Sequence, residues 1–390
     1  MKKIGILTHY YESCNIGGLL QAYALPALLN RHHFLAEQIS FDFNFYDKVA
    51  VRKRLTILLR GVTFVKCIKY FLQVLRNLYQ SWENKKISAI VKEQKKVFLA
   101  FRQFIPHSLT LYNNANISQS NAEYDVFITG SDQVFSSYLL PLSAYYGEFA
   151  TSDKKVISYG ASSDVKQFSP KAEEVFAQKI KRLNVISVRE KTLKEYVERL
   201  TDQKVEVVLD PVFLLSPQEW LALANPVSMP QKPYVFCYFL GSKSGWQRKK
   251  AQEYADKYGY EVIHLPYVMQ TVRSADRFLK NPGRWDVGPR EFITLIHQAQ
   301  CVFTDSFHGL AFSINFGKNF YVFDRDDQSG PNSMNARITD TVNTFNLVSR
   351  HIIGENMMLD NAPVDFTEVH KILAREKEKS VHWLLDALRN

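Results

Sequence analysis

The sequence predicts an α/β protein made of two Rossmann-like domains that face each other across a cleft. In both halves of the chain, short apolar segments run into polar or glycine-containing loops and then into helical patterns, which is the element order of a parallel sheet. A proline cluster separates the halves: Pro217, Pro226, Pro230 and Pro233. A helical pattern ends the chain. We therefore expect an N-terminal domain over 1–215, a C-terminal domain over 233–363 and a closing helix over 364–390.

Length and composition fit two domains of ordinary size. The chain has 390 residues, and 46% of them are hydrophobic, so sizeable cores are expected. Its four cysteines are far apart and form no C-x-x-C pair, which argues against a zinc site or a disulfide framework and favours a reducing compartment. The apolar run Ile4–Leu7 is too short for the core of a signal peptide. We expect a cytoplasmic protein.

The net charge of +10 is concentrated in one segment. Residues 52–104 hold thirteen lysines or arginines and two glutamates, so this segment carries +11 and the rest of the chain −1. We expect one charged surface and no nucleic-acid partner. Within the segment, Leu55–Tyr79 is apolar but contains four basic residues, so it fails as a transmembrane span. It suits an amphipathic helix on an anionic membrane or, equally, a helical hairpin packed on its own domain with a basic outer face.

The first candidate site residues follow the first predicted strand. The loop 9–18 connects this strand to a helix pattern over Leu19–Asn30, an arrangement that aims backbone amides at a ligand. The loop lacks the G-x-G-x-x-G pattern, so a dinucleotide site is only weakly indicated. Asn15, Gly17 and Gly18 are the candidate ligand contacts. The two glycines could equally serve only to form the turn.

Polar residues also follow two later strands of the N-terminal half. Asp132 and Gln133 come directly after one of them, and Arg189 ends the other. Because the carboxyl ends of parallel strands share one edge of a sheet, these side chains should converge. Arg189 could bind a ligand or could pair structurally with Glu190 or Asp210.

In the C-terminal half, Gln300–Phe323 reads as strand, polar turn, helix and strand. Ser306 can cap the helix, Gly309 lets a ligand or a backbone approach closely, and His308 lies just inside the helix start. The helix amides suit an anionic group, and a histidine can exchange a proton near neutral pH. The alternative is a core histidine satisfied by a backbone carbonyl.

The loops that follow this stretch add two features. Arg337 comes after a polar loop and is a further candidate cation. Asp324–Asp327 superficially resembles an acidic metal clamp, but a charged loop is the preferred interpretation. We expect no metal site.

Six motifs, in order along the chain, resemble those of one family. They are K-I-G-I-L-T with N-I-G-G-L-L-Q-A-Y-A-L, Y-D-V-F-I-T-G-S-D-Q-V-F, I-S-V-R-E, V-L-D-P-V-F-L-L, G-P-R-E-F-I-T-L-I and T-D-S-F-H-G-L-A-F-S-I-N-F-G-K. Together they span nearly the whole chain, and on these motifs the chain resembles the polysaccharide pyruvyl transferase family. Residues 52–104 are the part that the motifs cover least. The resemblance implies a fold similar to GT-B glycosyltransferases. It also implies transfer of the carboxyethylidene group of phosphoenolpyruvate to two sugar hydroxyls, giving a cyclic pyruvate ketal on a surface polysaccharide or its precursor.

The resemblance also implies roles for individual residues. His308 would be the active-site histidine and Arg189 a donor-binding arginine, with Ser306 and Gly309 beside the donor. Many members carry arginine two positions before the histidine, where this chain has Ser306. Another cation must take its place. The candidates are Arg337 and Lys318.

The donor carries a carboxylate and a phosphate, which arginine forks bind with paired hydrogen bonds. His308 can supply and remove the protons of the reaction, and no metal or redox cofactor is required. Asn15, Gly17, Gly18, Asp132 and Gln133 are the candidates to contact the sugar acceptor. Expected partners are phosphoenolpyruvate, a lipid-linked sugar acceptor and an anionic membrane surface bound through 52–104, which would place the protein at the inner membrane face.

Two rival functions stay open. The first is a nucleotide-sugar glycosyltransferase on the same architecture. In that case, binding of a nucleoside diphosphate sugar would protect the protein, and phosphoenolpyruvate would not. The second is a non-catalytic, membrane-associated partner in glycan assembly, for which Ser306 is the best argument. The retained Arg189, His308 and Arg337 argue against this second function.

Overall fold

The computed structural model describes residues 1–42, 92–164, 166–241, 245–267, 274–325, 335–360 and 362–389. The part of the predicted basic insertion that precedes residue 92 lies outside the described residues. The predicted membrane contact of that part therefore stays a prediction.

The first half of the described chain forms a seven-stranded parallel sheet in the order β3-β2-β1-β4-β5-β6-β7. Its strands are β1 (Lys3–Leu7), β2 (Leu35–Phe41), β3 (His107–Tyr112), β4 (Val126–Thr129), β5 (Lys155–Ala161), β6 (Val185–Val188) and β7 (Val205–Val207). The strand order reverses between β1 and β4. All four residues of β4 are buried, as expected for a central parallel strand that is covered on both faces.

The second half forms a parallel sheet of five described strands in the order β12-β11-β10-β8-β9. They are β8 (Tyr234–Tyr238), β9 (Glu261–His264), β10 (Cys301–Thr304), β11 (Phe320–Phe323) and β12 (His351–Ile352). This order reverses between β8 and β10. The two sheets confirm the predicted fold class. The edge strands β3 and β12 were missing from the prediction, because β3 is mostly polar or exposed and β12 has only two residues.

Helices connect the strands and cover both sheets. They are α1 (Ile16–Arg31), α2 (92–101), α3 (Pro170–Ile180), α4 (Lys191–Glu198), α5 (Pro217–Leu223), α6 (Gly245–Tyr258), α7 (Pro289–Gln298), α8 (Phe307–Asn315), α9 (Ala336–Thr344) and α10 (Phe366–Arg389). Helix α1 begins earlier than predicted, because the Asn15 side chain caps it by accepting a hydrogen bond from Gly18 N at 3.3 Å. Gly17 and Gly18 therefore belong to the first turn of a helix and do not form the preceding loop.

An apolar cluster joins the two halves. Its centre is Trp220 of α5, which is fully buried and packs edge-on against Phe312 of α8, with ring centroids 5.0 Å apart. The predicted closing helix is present as α10. Its first turns join the cluster through Val369, and its last turn packs beneath the first sheet through Leu388. The relative position of the halves is thus fixed by burial of apolar surface.

Helix α2 is the described part of the basic segment. Its apolar side, with Phe98 and Phe101, is buried against the rest of the protein, and Lys92, Lys95 and Lys96 are exposed. Over these residues the helix packs on its own protein with a basic outer face. None of the helices within the described ranges has the length and apolar character needed to cross a bilayer.

Candidate functional site

The carboxyl ends of both sheets point at one interdomain cleft. The reversal between β1 and β4 brings the start of α1 and the turn that contains Asp132 to one wall. The reversal between β8 and β10 brings the start of α8 to the opposite wall. Such points of strand-order reversal are where open α/β sheets bind ligands. The cleft has a volume of ≈ 1060 Å³ including its open mouth.

His308 lines this cleft from the first turn of α8. Ser306 caps the helix, and its Oγ accepts a hydrogen bond from Gly309 N at 3.4 Å. The imidazole is buried, and its Nε2 makes no hydrogen bond within the described part of the chain. It is therefore not a core histidine satisfied by a backbone carbonyl through that nitrogen.

Helix α1 contacts this imidazole from the other domain. A Cβ added at Gly17 would lie 1.9 Å from His308 Nδ1 and 2.2 Å from Cγ. Only a residue without a side chain fits there, because such a contact is far inside van der Waals distance. Gly17 is thus required for the close approach of the first turns of α1 and α8.

Burial lowers the pKa of His308, because the charged imidazolium loses hydration. The carboxylates Asp210 and Asp132 oppose this effect, and the cations Arg189 and Arg337 reinforce it. The net result is a pKa below the ordinary histidine value. The imidazole is therefore mainly neutral at neutral pH in the free protein, and a nearby anionic ligand would favour its protonation.

Arg189 lies behind His308 and does not line the cleft. Its guanidinium is 4.3 Å from the ring centroid of Phe307 and is surrounded by three carboxylates. Nη1 is 2.5 Å from Asp210 Oδ2, Nε is 3.0 Å from Glu190 Oε1, and Nη2 is 3.5 Å from Asp132 Oδ1. Of the two alternatives drawn from the sequence, this geometry is that of the structural pair, because three anions already neutralise the guanidinium.

Two other arginines line the cleft beside His308. Arg337 is the second residue of α9, and Arg325 follows β11, where its backbone N donates to Asn335 Oδ1 at 2.9 Å. Burial, with repulsion from Arg325 and Arg189, lowers the pKa of Arg337 to about 10. Arg337 stays protonated at neutral pH, with two other guanidinium groups near enough to repel its charge. An anion bound there would relieve this repulsion.

The opposite wall carries mostly hydrogen-bonding groups. Asn15, Asp132 and Gln133 line it as predicted from the sequence, together with His9 and the half-exposed Tyr138. Burial alone would raise the pKa of Asp132, but its cationic neighbours, Arg189 foremost, lower it overall. Asp132 is therefore an anion at neutral pH, within a cleft that is otherwise rich in cations.

Besides Arg189 and Gly17, which packs against His308, three predicted site residues do not line the cleft. Lys318 follows the C-terminal end of α8, roughly 14 Å of helix away from the end that faces the cleft. A Cβ added at Gly309 would lie 2.4 Å from Thr304 Oγ1, so that glycine allows α8 to pack on β10 and makes no room for a ligand. Gly18 lies in the first turn of α1 but does not line the cleft.

Two residues near His308 escaped the sequence analysis. Arg325 stands inside the charged loop that was considered only as a metal clamp; the neighbouring Asp324 is paired with His351 at 2.7 Å. Asp210 was considered only as a partner of Arg189, although it follows a predicted strand like the other site residues. The same strand-end pattern that identified Arg189 could have identified Asp210.

Two parallel α/β sheets that face each other across a cleft, with a C-terminal helix that packs on both halves, define a GT-B-like protein. Among solved structures, a variant of TarM from S. aureus is similar over 100% of both chains, with 10% sequence identity and a TM-score of 0.50. The UDP-GlcNAc 2-epimerase from Methanocaldococcus jannaschii matches 98% of this chain and 99% of its own, with 11% identity and a TM-score of 0.46. At such identities, the similarity to TarM shows the fold alone.

The sequence model of the polysaccharide pyruvyl transferase family matches residues 15–327 of this chain. The match covers most of the chain, including helix α1, the turn with Asp132 and the start of α8. The chain belongs to this family, and it is a transferase that acts in polysaccharide modification. No curated protein matches it.

Proposed function

We propose that the protein transfers the carboxyethylidene group of phosphoenolpyruvate onto two hydroxyls of a sugar, in a surface polysaccharide or its lipid-linked precursor, and releases phosphate. One observation carries the proposal. A buried histidine, His308, shares one cleft wall with two arginines, Arg325 and Arg337, opposite a wall of hydrogen-bonding groups.

The donor is a small molecule with two anionic groups. Arg325 and Arg337 would bind its carboxylate and phosphate through charge-assisted hydrogen bonds, supported by the amides at the start of α8. These two arginines would replace the one that the family motif leads us to expect at Ser306. The lowered pKa of Arg337 supports this assignment, because binding of an anion relieves the repulsion between the cations.

His308 would supply the proton of the first step. Protonation of the methylene carbon makes C2 electrophilic, one sugar hydroxyl attacks it, and a second hydroxyl then displaces phosphate. Two protons leave the hydroxyls, one being consumed at the methyl group and one leaving with phosphate, so the reaction balances without a redox partner. The anionic donor raises the pKa of His308 and thereby favours its acidic form.

The acceptor would bind along the opposite wall. Asn15 and Gln133 can hydrogen-bond hydroxyls, and the anionic Asp132 can accept a hydroxyl proton. Arg189 would act indirectly, by holding Asp132 and the first turn of α8 in place. Membrane attachment through the basic segment 52–104 stays part of the proposal, since it would bring the cleft to a lipid-linked acceptor.

A thermal-shift experiment tests the donor assignment. Phosphoenolpyruvate should raise the melting temperature of the wild-type chain, and a nucleoside diphosphate sugar should not. The variant His308→Ala should keep its fold and lose transfer by about 10²-fold or more, the usual scale for a general acid or base. Stabilisation by the nucleotide sugar alone would instead favour a glycosyltransferase. Stabilisation by neither ligand would contradict the proposal.

A further inference from the structure

We propose that Gln94 is a specificity-determining residue of the cleft, whose side-chain oxygen accepts a hydrogen bond from a hydroxyl group of the sugar acceptor. Gln94 belongs to helix α2, the described part of the basic segment, to which the proposed function assigns only membrane attachment. The inference rests on the proposed function for the class of acceptor. It gives this helix a task at the substrate cleft as well.

Gln94 is a polar residue on the buried face of a helix. Along α2, the residues that are not exposed are Gln94, Val97, Phe98 and Phe101, which is the spacing of a helical stripe that packs on a core. Phe98 and Phe101 are each 2% exposed and join the apolar cluster between the two halves. Gln94 is also only 2% exposed. An apolar residue would pack at this position at lower cost, because a buried amide loses its hydration.

Contacts with both halves of the chain hold α2 in place. The ring centroid of Phe101 is 6.4 Å from that of Tyr23 on α1, in the first half. In the second half, a Cβ added at Gly288 would lie 2.6 Å from Val97 Cγ1, so the turn before α7 packs closely on α2. The buried face of α2 is therefore fixed relative to both walls of the cleft.

The side chain of Gln94 lies at the cleft with an unpaired oxygen. Gln94 and Phe98, which are one helical turn apart, both line the cleft, as does Asn15 before α1. Gln94 Oε1 is buried and has no hydrogen-bond partner within the described ranges of the chain. Buried polar groups are nearly always paired. A ligand group that donates a hydrogen bond would therefore complete this part of the site.

The need for a hydrogen-bond donor distinguishes between the two substrates. The ionised carboxylate and phosphate of phosphoenolpyruvate only accept hydrogen bonds, whereas a sugar hydroxyl can donate one to Oε1. A sugar ring also has C–H groups that can pack against the aromatic ring of Phe98. Such a combination of apolar walls with a few placed polar groups is typical of small-molecule sites. The chemistry at Gln94 thus fits the acceptor and does not fit the anionic donor.

The first test is the binding of sugar probes to the full-length chain without phosphoenolpyruvate. The probes are the methyl glycosides of glucose, galactose and N-acetylglucosamine and their deoxy analogues, titrated by saturation-transfer NMR. Gln94→Met keeps the length of the side chain without its acceptor oxygen, and it should weaken binding of the preferred glycoside by about 10-fold or more. One deoxy analogue should bind wild type more weakly by a similar factor, and Gln94→Met should not distinguish it from the parent glycoside.

The second test separates a ligand-binding role from a structural one. Gln94→Met should have a urea midpoint at or above that of wild type, because it removes an unpaired buried group. The matched control is Gln38→Met. Gln38 is also buried with an unpaired Oε1, but its Nε2 donates to Ala22 O at 2.8 Å, and it does not line the cleft. This control should lower the midpoint and leave glycoside binding unchanged.

Three results would overturn the proposal. They are wild-type glycoside affinity in Gln94→Met, a lowered urea midpoint or loss of folding in that variant, and absence of binding of every glycoside to the wild-type chain. Neither experiment contains phosphoenolpyruvate. Their outcome is therefore independent of whether phosphoenolpyruvate is the donor.

Discussion

The contact between Gly17 and His308 gives a prediction with a built-in control. Alanine usually stabilises a helix relative to glycine by about 1 kcal/mol. At Gly17 the new Cβ would lie 1.9 Å from Nδ1 and 2.5 Å from Cε1 of His308, against about 3.5–4 Å for a normal contact. The ring must therefore shift by roughly 1–2 Å, and a misplacement of about 1 Å can cost about 10²-fold in rate.

We accordingly expect Gly17→Ala to reduce transfer about 100-fold. Overpacking should cost about 1–3 kcal/mol, offset in part by the helix propensity of alanine, so the chain should still fold. The control is Gly18→Ala in the same helical turn, where the nearest atom to the new Cβ would be His9 O at 3.4 Å. This variant should be at least as stable as wild type and should retain transfer.

Two assays decide the comparison between Gly17→Ala and Gly18→Ala. Urea denaturation measures the free energy of unfolding of each variant, and release of phosphate from phosphoenolpyruvate in the presence of acceptor measures the rate. If both variants turn over at the wild-type rate, the close packing of α1 against the His308 imidazole is not needed, and the reasoning is refuted.

Three further predictions concern charge. Arg337→Gln should weaken phosphoenolpyruvate binding by about 10–100-fold, because hydrogen bonds to charged groups contribute about 1.5–3 kcal/mol. As the control, Lys318→Gln should leave the affinity for phosphoenolpyruvate, measured by calorimetry, unchanged. Below a pH of about 6.5 the unfolded chain protonates a histidine that the folded chain keeps neutral, so the wild-type chain loses stability as the pH decreases. The free energy of unfolding should therefore decrease less steeply with decreasing pH in His308→Gln than in wild type, and equal slopes in urea denaturation would contradict this. The intact chain should float with anionic vesicles at low salt and dissociate as salt rises. Neutral vesicles should recover little, and glutamine substitution of four cations should remove most of the binding: Arg52, Lys53, Arg54 and Lys66.

The fold was predictable because its signal is local and repeated. Each central strand is a short apolar run followed by a polar loop, and this pattern is the same whether the strand belongs to the first sheet or the second. Ligands bind at the carboxyl ends of such strands. This rule alone predicts that Asp132 and His308 lie at one cleft, without any knowledge of contacts between them.

The parts that could not be predicted depend on contacts between distant segments. A glycine at position 17 is compatible with a turn and equally with close packing against an imidazole. Only the position of α8 decides which of the two roles it has. Arg189 has the same sequence signal whether its partner is a ligand or three carboxylates. Arg325 reaches the cleft because Asn335 and Asp305 hold the loop after β11, and no local pattern reports that arrangement.

The central claim is that the cleft moves a carboxyethylidene group from phosphoenolpyruvate to a glycan, with a proton delivered to the methylene carbon. The most direct test is to incubate the full-length chain with phosphoenolpyruvate and candidate glycan acceptors in heavy water and to analyse the products by mass spectrometry. The account predicts an acid-labile ketal, one deuterium in its methyl group, equimolar phosphate, and loss of all three with His308→Ala. Phosphoenolpyruvate that stays intact with every acceptor, while a nucleotide sugar is consumed, would contradict it.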